Sequence, residues 1–159
     1  MIFVTVGMQT PFDRLCDVVD RWCEKTGRKD VFMQTGRTDW TPSHCEFVKL
    51  LDADDFQRRM KEATVIVAHA GMGSILSAMR FGKPILVMPR RAALKETRND
   101  HQLATCKHFT DMNGINVAVD EEELMSRLDT IDQTSMPGSL AAHASPKMIV
   151  AISDFIQGR

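Results

Sequence analysis

Residues 65–74 of the sequence are Val65-Ile66-Val67-Ala68-His69-Ala70-Gly71-Met72-Gly73-Ser74. The apolar run at their start, led by β-branched side chains, is typical of a parallel strand that is covered on both faces. Gly71 and Gly73 allow a sharp turn and a close approach of the backbone to a ligand, because neither has a Cβ atom. Ser74 is predicted to be the N-cap of a helix over residues 75–81. The stretch therefore predicts a buried strand, a glycine turn and a helix.

The start of that helix is a candidate anion site. The first N–H groups of a helix have no intrahelical acceptor and carry a partial positive charge, which favours one anionic group by about 0.3–1 kcal/mol. Phosphate is the obvious anion for such a site. The alternative is an ordinary strand-to-helix turn whose glycines serve close packing. His69 is either part of the site, adding a hydrogen bond or a positive charge, or a strand-end histidine bonded to backbone.

The composition is that of a soluble globular protein. The 159 residues suffice for one well-cored domain, and 43% of them are hydrophobic and 26% charged. The net charge of -1 gives no support for binding to nucleic acid or to an anionic membrane surface. No apolar run approaches the roughly 20 residues that span a bilayer, and the first strand begins without a secretion signal, so we expect a cytoplasmic protein. The four cysteines form no C-x-x-C pair and are expected to be reduced thiols, most of them buried.

Predicted strands and helices alternate along the chain. The strands are residues 2–6, 31–35, 46–50, the run ending at His69, 85–89 and 115–119. Thr10, Asp52 and Asp120 are predicted to cap the helices that begin beside them. This alternation predicts an α/β fold with a doubly wound, roughly six-stranded parallel sheet and helices on both faces.

Four segments with polar or glycine residues follow the carboxyl ends of these strands, at residues 7–10, 36–38, 69–74 and 89–102. Ligands of doubly wound sheets bind outside the carboxyl ends of the strands, so the convergence favours the anion site over the packing turn. The last segment is either a solvated loop or a site for a phosphorylated or acidic partner, because it contains the cations Arg90, Arg91, Lys95 and Arg98.

The ligand is not predicted by the common phosphate motifs. The sequence has no G-x-x-x-x-G-K-[ST] motif, and no G-x-G-x-x-G motif follows the first strand. Instead it combines Ile2-Phe3-Val4-Thr5-Val6-Gly7, Pro11-Phe12-Asp13, His69 to Ser74, Gly82-Lys83-Pro84 and Asn99-Asp100-His101-Gln102-Leu103. With these motifs, the chain from about Met1 to Val119 resembles the C-terminal, donor-binding half of family 28 glycosyltransferases. It is most similar to the small catalytic subunits of split enzymes that make dolichol-linked chitobiose, capsule or exopolysaccharide.

The resemblance implies the GT-B fold, two Rossmann-like halves with the active site between them, a UDP-sugar donor, and no metal ion or other cofactor. It implies that residues 1–128 form the donor-binding domain, with a linker and C-terminal helix of the same domain over residues 129–159. Gly71, Gly73 and Ser74 are implied to hold the diphosphate, with His69 as the catalytic residue. The residues implied for the donor sugar and nucleotide are Gly7, Thr10, Leu51, Ser77, Asn99, Asp100 and Gln102.

One implied position departs from the family. Many relatives have a glutamate, which binds the ribose hydroxyls, where this sequence has Ser77. A serine hydroxyl reaches less far and hydrogen-bonds more weakly than a carboxylate. The diphosphate assignment is therefore better supported than the nucleotide assignment.

The resemblance implies a function that needs a partner. Negative charge that grows on the leaving diphosphate would be stabilised by the N–H groups of residues 71–74. The sequence shows no convincing general base, which in full-length relatives comes from the other half. The implied role is the donor-binding catalytic subunit of a metal-independent inverting transferase. Its implied partner is membrane-anchored, presents a lipid-linked sugar acceptor and holds the chain at the inner face of the membrane.

Two alternatives stay open at this point. The first is a non-catalytic nucleotide-sugar-binding or activating subunit of a glycosyltransferase complex. The second is a stand-alone phosphate-ester enzyme of flavodoxin-like architecture, against which the lack of an Asp pair or a Cys nucleophile motif at a strand end counts.

Overall fold

The structure is a computed structural model that describes residues 1–109 and 114–134. In this part of the chain the strands are β1 (Ile2–Thr5), β2 (Val31–Gln34), β3 (Glu46–Val48), β4 (Val65–His69), β5 (Ile85–Met88) and β6 (Ile115–Val117). The helices are α1 (Asp13–Thr26), α2 (Ala53–Glu62), α3 (Met72–Arg80), α4 (His101–Phe109) and α5 (Glu121–Asp129), with 3-10 turns at Ala92–Leu94 and Ile131–Gln133. The predicted C-terminal helix lies outside the described residues.

The strands form one parallel sheet in the order β3-β2-β1-β4-β5-β6. This confirms the predicted doubly wound, six-stranded architecture. Ile2 of β1 pairs with Val31 of β2 on one side and with Val65 of β4 on the other. The chain therefore winds in opposite directions from β1 and β4, and a crevice opens where their carboxyl ends meet.

Both faces of the sheet are covered by apolar clusters, because alternate side chains of each strand point to opposite faces. On one face, Ile2 and Val4 pack with α1 and α5, as the apolar spacing of α1 predicts. On the other face, Phe3 packs with α2, α3 and α4, which contribute Met60, Ile75 and Cys106 among others. No disulfide forms, and Cys45 is the one half-buried thiol beside three buried ones.

The predicted N-caps of α1 and α3 are wrong. Helix α3 begins at Met72, with the extended backbone of Gly71 as its N-cap, so Ser74 lies inside the first turn. Helix α1 begins at Asp13 with Phe12 as its N-cap, and no side chain caps it. The hydroxyl of Thr10 instead accepts a hydrogen bond of 2.8 Å from Arg90 Nη1, a contact between distant parts of the chain that local sequence does not show.

The other two predicted caps are confirmed. The Asp52 carboxylate accepts a hydrogen bond of 2.8 Å from the Asp55 N–H at the start of α2. The Asp120 carboxylate accepts one of 2.9 Å from the Glu123 N–H at the start of α5. Both helices thus begin where an acidic cap satisfies a first-turn N–H group.

The first residues of the predicted linker pack against α1. Ile131 is 1% exposed within the apolar cluster of α1 and α5. Trp22 Nε1 donates a hydrogen bond of 3.0 Å to Asp129, and Arg28 forms an ion pair of 2.7 Å with Asp132. These side chains hold the start of the predicted linker, residues 129–134, against the domain to which the sequence assigns it. In the two described ranges, no helix combines the length and the apolar character that crossing a bilayer requires.

Candidate functional site

A cleft of about 710 Å³ opens at the carboxyl edge of the sheet. This volume lies within the range of small-molecule sites, roughly 300–1,000 Å³. The cleft is bordered by the ends of β1 and β4, the switch point of the sheet. Of the residues predicted for the site, those that line it are Gly7, Thr10, Leu51, His69, Gly73, Ser74, Ser77 and Gln102.

His69 ends β4, and its imidazole lies between two glycines. A Cβ atom on Gly71 would lie within 2.8 Å of His69 Cδ2 and closer still to Nε2, and one on Gly7 would lie 3.1 Å from Cε1. The ring therefore occupies space that only glycine leaves open on both sides. Gly71 serves close packing with this ring, which is the use that the packing alternative assigned to both glycines of the turn.

Gly73 has a different environment. A Cβ atom built on Gly73 meets no heavy atom within 4 Å, and the residue lines the cleft. The absence of a side chain here keeps the cleft open rather than relieving a contact within the protein. The two glycines of the turn thus have separate roles, one toward His69 and the other toward a ligand.

The start of α3 presents unused hydrogen-bond donors beside Gly73. The N–H groups of Ser74 and Ile75 bond to the Gly71 carbonyl at 3.1 and 3.2 Å. Within the described residues, the N–H groups of Met72 and Gly73 have no acceptor. Since first-turn N–H groups carry the positive end of the helix dipole, this is the geometry of an anion site.

His69 is neutral near pH 7. Burial and the positive charge of Arg90 lower the pKa of its imidazole to about 4, against a weaker opposing backbone contact with Thr5. Its Nδ1 atom is buried and has no hydrogen-bond partner in residues 1–109 and 114–134. The imidazole can donate or accept one hydrogen bond in the cleft. It does not supply the positive charge that was the other alternative for His69, because the ring is neutral at neutral pH.

The segment after β5 is not a solvated loop throughout. Arg90 is 5% exposed, and its N–H donates to Gln102 Oε1 at 3.1 Å. Glu96 forms a bidentate ion pair with Arg14 of α1, at 2.7 and 2.8 Å, and also accepts the Arg91 N–H at 2.9 Å. These contacts fix the segment against α1 and bring Gln102 to the cleft. Of the two alternatives for this segment, the solvated loop is therefore wrong for Arg90.

Two predicted sugar-binding residues lie beside the cleft and not in its lining. The Asp100 carboxylate accepts a hydrogen bond of 2.9 Å from the Ala92 N–H, which stabilises the turn before α4. The Asn99 side-chain oxygen accepts from the His101 N–H at 3.4 Å. Their roles toward a donor sugar stay predictions.

Some residues of the cleft were not predicted from the sequence. Phe56 and Gln57 of α2, together with Arg80 and Phe81 at the end of α3, line the end of the cleft near Leu51. Arg80 lies one helical turn after Ser77, so the helical period places both on one face. For α2 the signal is weaker, because nothing in the sequence shows that this helix borders the same edge as α3.

We expect Glu96→Gln to destabilise the protein by about 1–3 kcal/mol, since it removes one charge from an ion pair in which each side chain is mostly buried. It should also speed amide hydrogen exchange in residues 90–102, which Glu96 holds. Urea denaturation and exchange measure the two effects. The matched control is Glu122→Gln, because Glu122 is exposed on α5. Equal denaturation midpoints for the two variants would contradict the prediction.

The fold and site define a doubly wound, Rossmann-like α/β domain with a cleft and unused helix N–H groups at its switch point. The chain belongs to the glycosyltransferase family 28 C-terminal domain family, whose model matches residues 1–155. It is 31% identical over 101 residues to the "UDP-N-acetylglucosamine transferase subunit ALG13" of Yarrowia lipolytica, a match that covers 55% of this chain and 52% of that protein. The chain thus spans about half the length of this relative.

Two solved structures show the same fold. An NMR structure of ALG13 matches with a TM-score of 0.61 and 16% identity, over 89% of this chain and 90% of that one. A putative UDP-N-acetylglucosamine 2-epimerase from Listeria monocytogenes matches with a TM-score of 0.63 and 14% identity, over 99% of this chain and 46% of that one. At these identities the likeness concerns the fold alone.

Proposed function

We propose that this chain is the donor-binding catalytic subunit of a metal-independent, inverting glycosyltransferase that uses a UDP-sugar. The observation that carries the proposal is the start of α3, where the N–H groups of Met72 and Gly73 have no acceptor among the described residues and Gly73 lines an open cleft. The match to family 28 across residues 1–155 supports a glycosyl donor as the ligand.

The geometry supports a specific role for this end of the cleft. When the bond between the sugar and the diphosphate breaks, negative charge grows on the leaving phosphate. Fixed N–H donors at the start of α3 would stabilise that charge more in the transition state than in the ground state. Such a difference in stabilisation lowers the activation barrier of the chemical step. The neutral imidazole of His69 would add one hydrogen bond. No metal ion takes part in this proposal.

The nucleoside would lie toward the opposite end of the cleft. Leu51, Phe56 and Phe81 give that end apolar surface, and Ser77 and Arg80 give it polar atoms. Ser77 would contact the ribose through its hydroxyl, in place of the carboxylate of many relatives. Gly7, Thr10 and Gln102 would border the diphosphate and the donor sugar.

The acceptor side of the reaction requires a partner in this proposal. Asp52 is the carboxylate among the described residues that line the cleft, and it caps α2, while the neutral imidazole of His69 is assigned to the leaving phosphate, so the described part of the cleft offers no further general base. Large apolar side chains are exposed at the same edge of the sheet: Met8 at 63%, Met72 at 46%, Leu76 at 50% and Leu94 at 52%. Exposed apolar surface of this kind marks interaction sites.

The proposed partner is a membrane-anchored glycosyltransferase subunit that binds a lipid-linked sugar acceptor and supplies the base. The word "subunit" in the name of the Yarrowia relative is consistent with this arrangement. Through the partner, the chain would work at the cytoplasmic face of a membrane, in capsule, exopolysaccharide or glycolipid synthesis. A non-catalytic nucleotide-sugar-binding or activating subunit is the second candidate, because the described cleft lacks a base of its own.

Calorimetric titration of the purified chain with UDP, with ADP and GDP as controls, tests the donor site. We expect selective binding of UDP, and equal affinities for the three nucleotides would contradict the donor assignment. In the complex with its co-purified partner, His69→Ala should lower kcat by about 100-fold, the typical loss when one transition-state hydrogen bond is removed. Assembly with near-normal transfer by this variant would instead support the activating subunit.

A further inference from the structure

Arg90 connects two parts of the cleft. It lies two residues after the end of β5, and its Nη1 donates to Thr10 Oγ1 at 2.8 Å. Its Nη2 donates to the carbonyls of Val6 and Thr10 at 2.8 and 2.5 Å. The guanidinium carbon lies 5.2 Å from the centre of the Phe12 ring. One side chain thus joins the end of β5 to the segment that follows β1.

The charge of Arg90 is buried without a direct ion-pair partner among the described residues: burial lowers the pKa of its guanidinium, and Glu96 opposes this only from beyond 4.0 Å. In the described residues no carboxylate lies within 4.0 Å of its guanidinium, and the buried Nε has no hydrogen-bond partner. Arg14 is a useful comparison, because this mostly buried arginine has both Glu96 and Glu121 as ion-pair partners. A buried charge is costly unless an opposite charge compensates it. Since Arg90 lines the cleft, an anionic ligand in the cleft is the available compensation.

We propose that Arg90 is the positioning residue of this cleft, which holds residues 6–10 in place through its three hydrogen bonds and supplies the buried positive charge for an anionic ligand. This inference rests on the proposed donor site, and it selects one residue from the four cations that the sequence offered as a solvated loop or as a site for a phosphorylated or acidic partner. Its two parts differ physically. The forked hydrogen bonds need the planar guanidinium, whereas the charge needs only a cation.

The effect of the Arg90 charge on the titration of His69 can be measured without any ligand. Arg90 is the charged group that acts on the neighbouring His69 and, together with burial, holds the pKa of that imidazole down to about 4. In Arg90→Gln, the NMR titration midpoint of His69 should rise by about one pH unit, since a like charge has been removed. In Arg90→Lys it should stay close to that of the natural chain. His69→Gln assigns the resonance among the five histidines.

The hydrogen bonds are measured by amide exchange. Both Arg90→Gln and Arg90→Lys should speed exchange at Gly7 to Thr10, because neither side chain reproduces the fork. Arg91→Gln is the matched control: Arg91 is the next residue, but its Nη2 donates to the Val119 carbonyl away from the cleft. It should change neither the His69 midpoint nor the exchange rates. If Arg90→Gln does not fold, Arg90→Lys alone still tests the forked hydrogen bonds by exchange, and unchanged exchange at Gly7 to Thr10 in this variant would overturn the inference.

Ligand binding completes the test. With inorganic pyrophosphate and with UDP as probes, Arg90→Gln should weaken binding by about tenfold or more, and Arg90→Lys by less, as expected for a lost favourable charge. An unchanged His69 midpoint together with unchanged exchange in Arg90→Gln would overturn the inference. If the natural chain binds neither probe, the proposed donor site fails on the free chain. The midpoint and exchange results would still decide whether Arg90 positions the cleft.

Discussion

Gly73→Ala is expected to weaken UDP binding by about tenfold or more, since a steric overlap of one methyl group typically costs about 1–3 kcal/mol. The added methyl group would stand in the cleft beside the free N–H groups that begin α3, where the diphosphate is proposed to lie. The same methyl meets no heavy atom of the protein within 4 Å. Alanine also favours the helix over glycine by about 0.5–1 kcal/mol, so the melting temperature should be unchanged or slightly higher.

Calorimetric titration with UDP and thermal unfolding measure the two expectations on the same sample. Met72→Ala is the matched control, because Met72 is the preceding residue of the same turn, is 46% exposed and does not line the cleft. It should keep the UDP affinity of the natural chain. An affinity of Gly73→Ala that equals that of this control would show that the ligand does not approach the start of α3.

Gly71→Ala is expected to destabilise the protein by about 1–3 kcal/mol, the usual cost of overpacking, and to impair UDP binding as well. The backbone of Gly71, at φ −92° and ψ 135°, is one that alanine adopts freely, so the cost is steric. The new Cβ would overlap the imidazole of His69, and Gly7 blocks the ring on its other side. The ring must therefore move from the position that makes it part of the cleft.

A double variant separates this clash from any other effect of the alanine. His69→Ala removes the imidazole, so His69→Ala/Gly71→Ala should be about as stable as His69→Ala alone. The coupling between the two positions should then offset most of the single-variant cost, within the 0.5–3 kcal/mol found for contacting residues. Thermal or urea unfolding of the four proteins gives this value. Additive losses in the double variant would show that Gly71 is needed for a reason other than His69.

The difference between these two glycines shows where sequence reasoning reaches its limit. The pattern from Val65 to Ser74 predicts a glycine turn, and it offers packing and anion binding as alternatives. In the structure Gly71 serves close packing against His69, and the open space at Gly73 is compatible with anion binding. The sequence could not distinguish them, because the distinction depends on where the His69 ring lies.

Arg90 shows the same limit for charged residues. Four cations within nine residues are typical of a solvated loop, and nothing in the local pattern separates one of them from the others. Burial of Arg90 depends on Val6 and Thr10, whose carbonyls accept its hydrogen bonds from a segment 80 or more positions away. The prediction of Thr10 as a helix cap failed for a related reason, because the local sequence does not show that Arg90 is the hydrogen-bond partner of its hydroxyl.

What the sequence by itself determined is the doubly wound parallel sheet, the edge at which the cleft lies, and eight of the residues that line the cleft. These follow from local periodicity and from chain order, because alternating strands and helices place all strand ends on one edge. Only the tertiary structure decided the neutral state of His69, the separate roles of Gly71 and Gly73, and the buried charge of Arg90. Each of these depends on burial and on contacts between distant segments, which a local pattern does not contain.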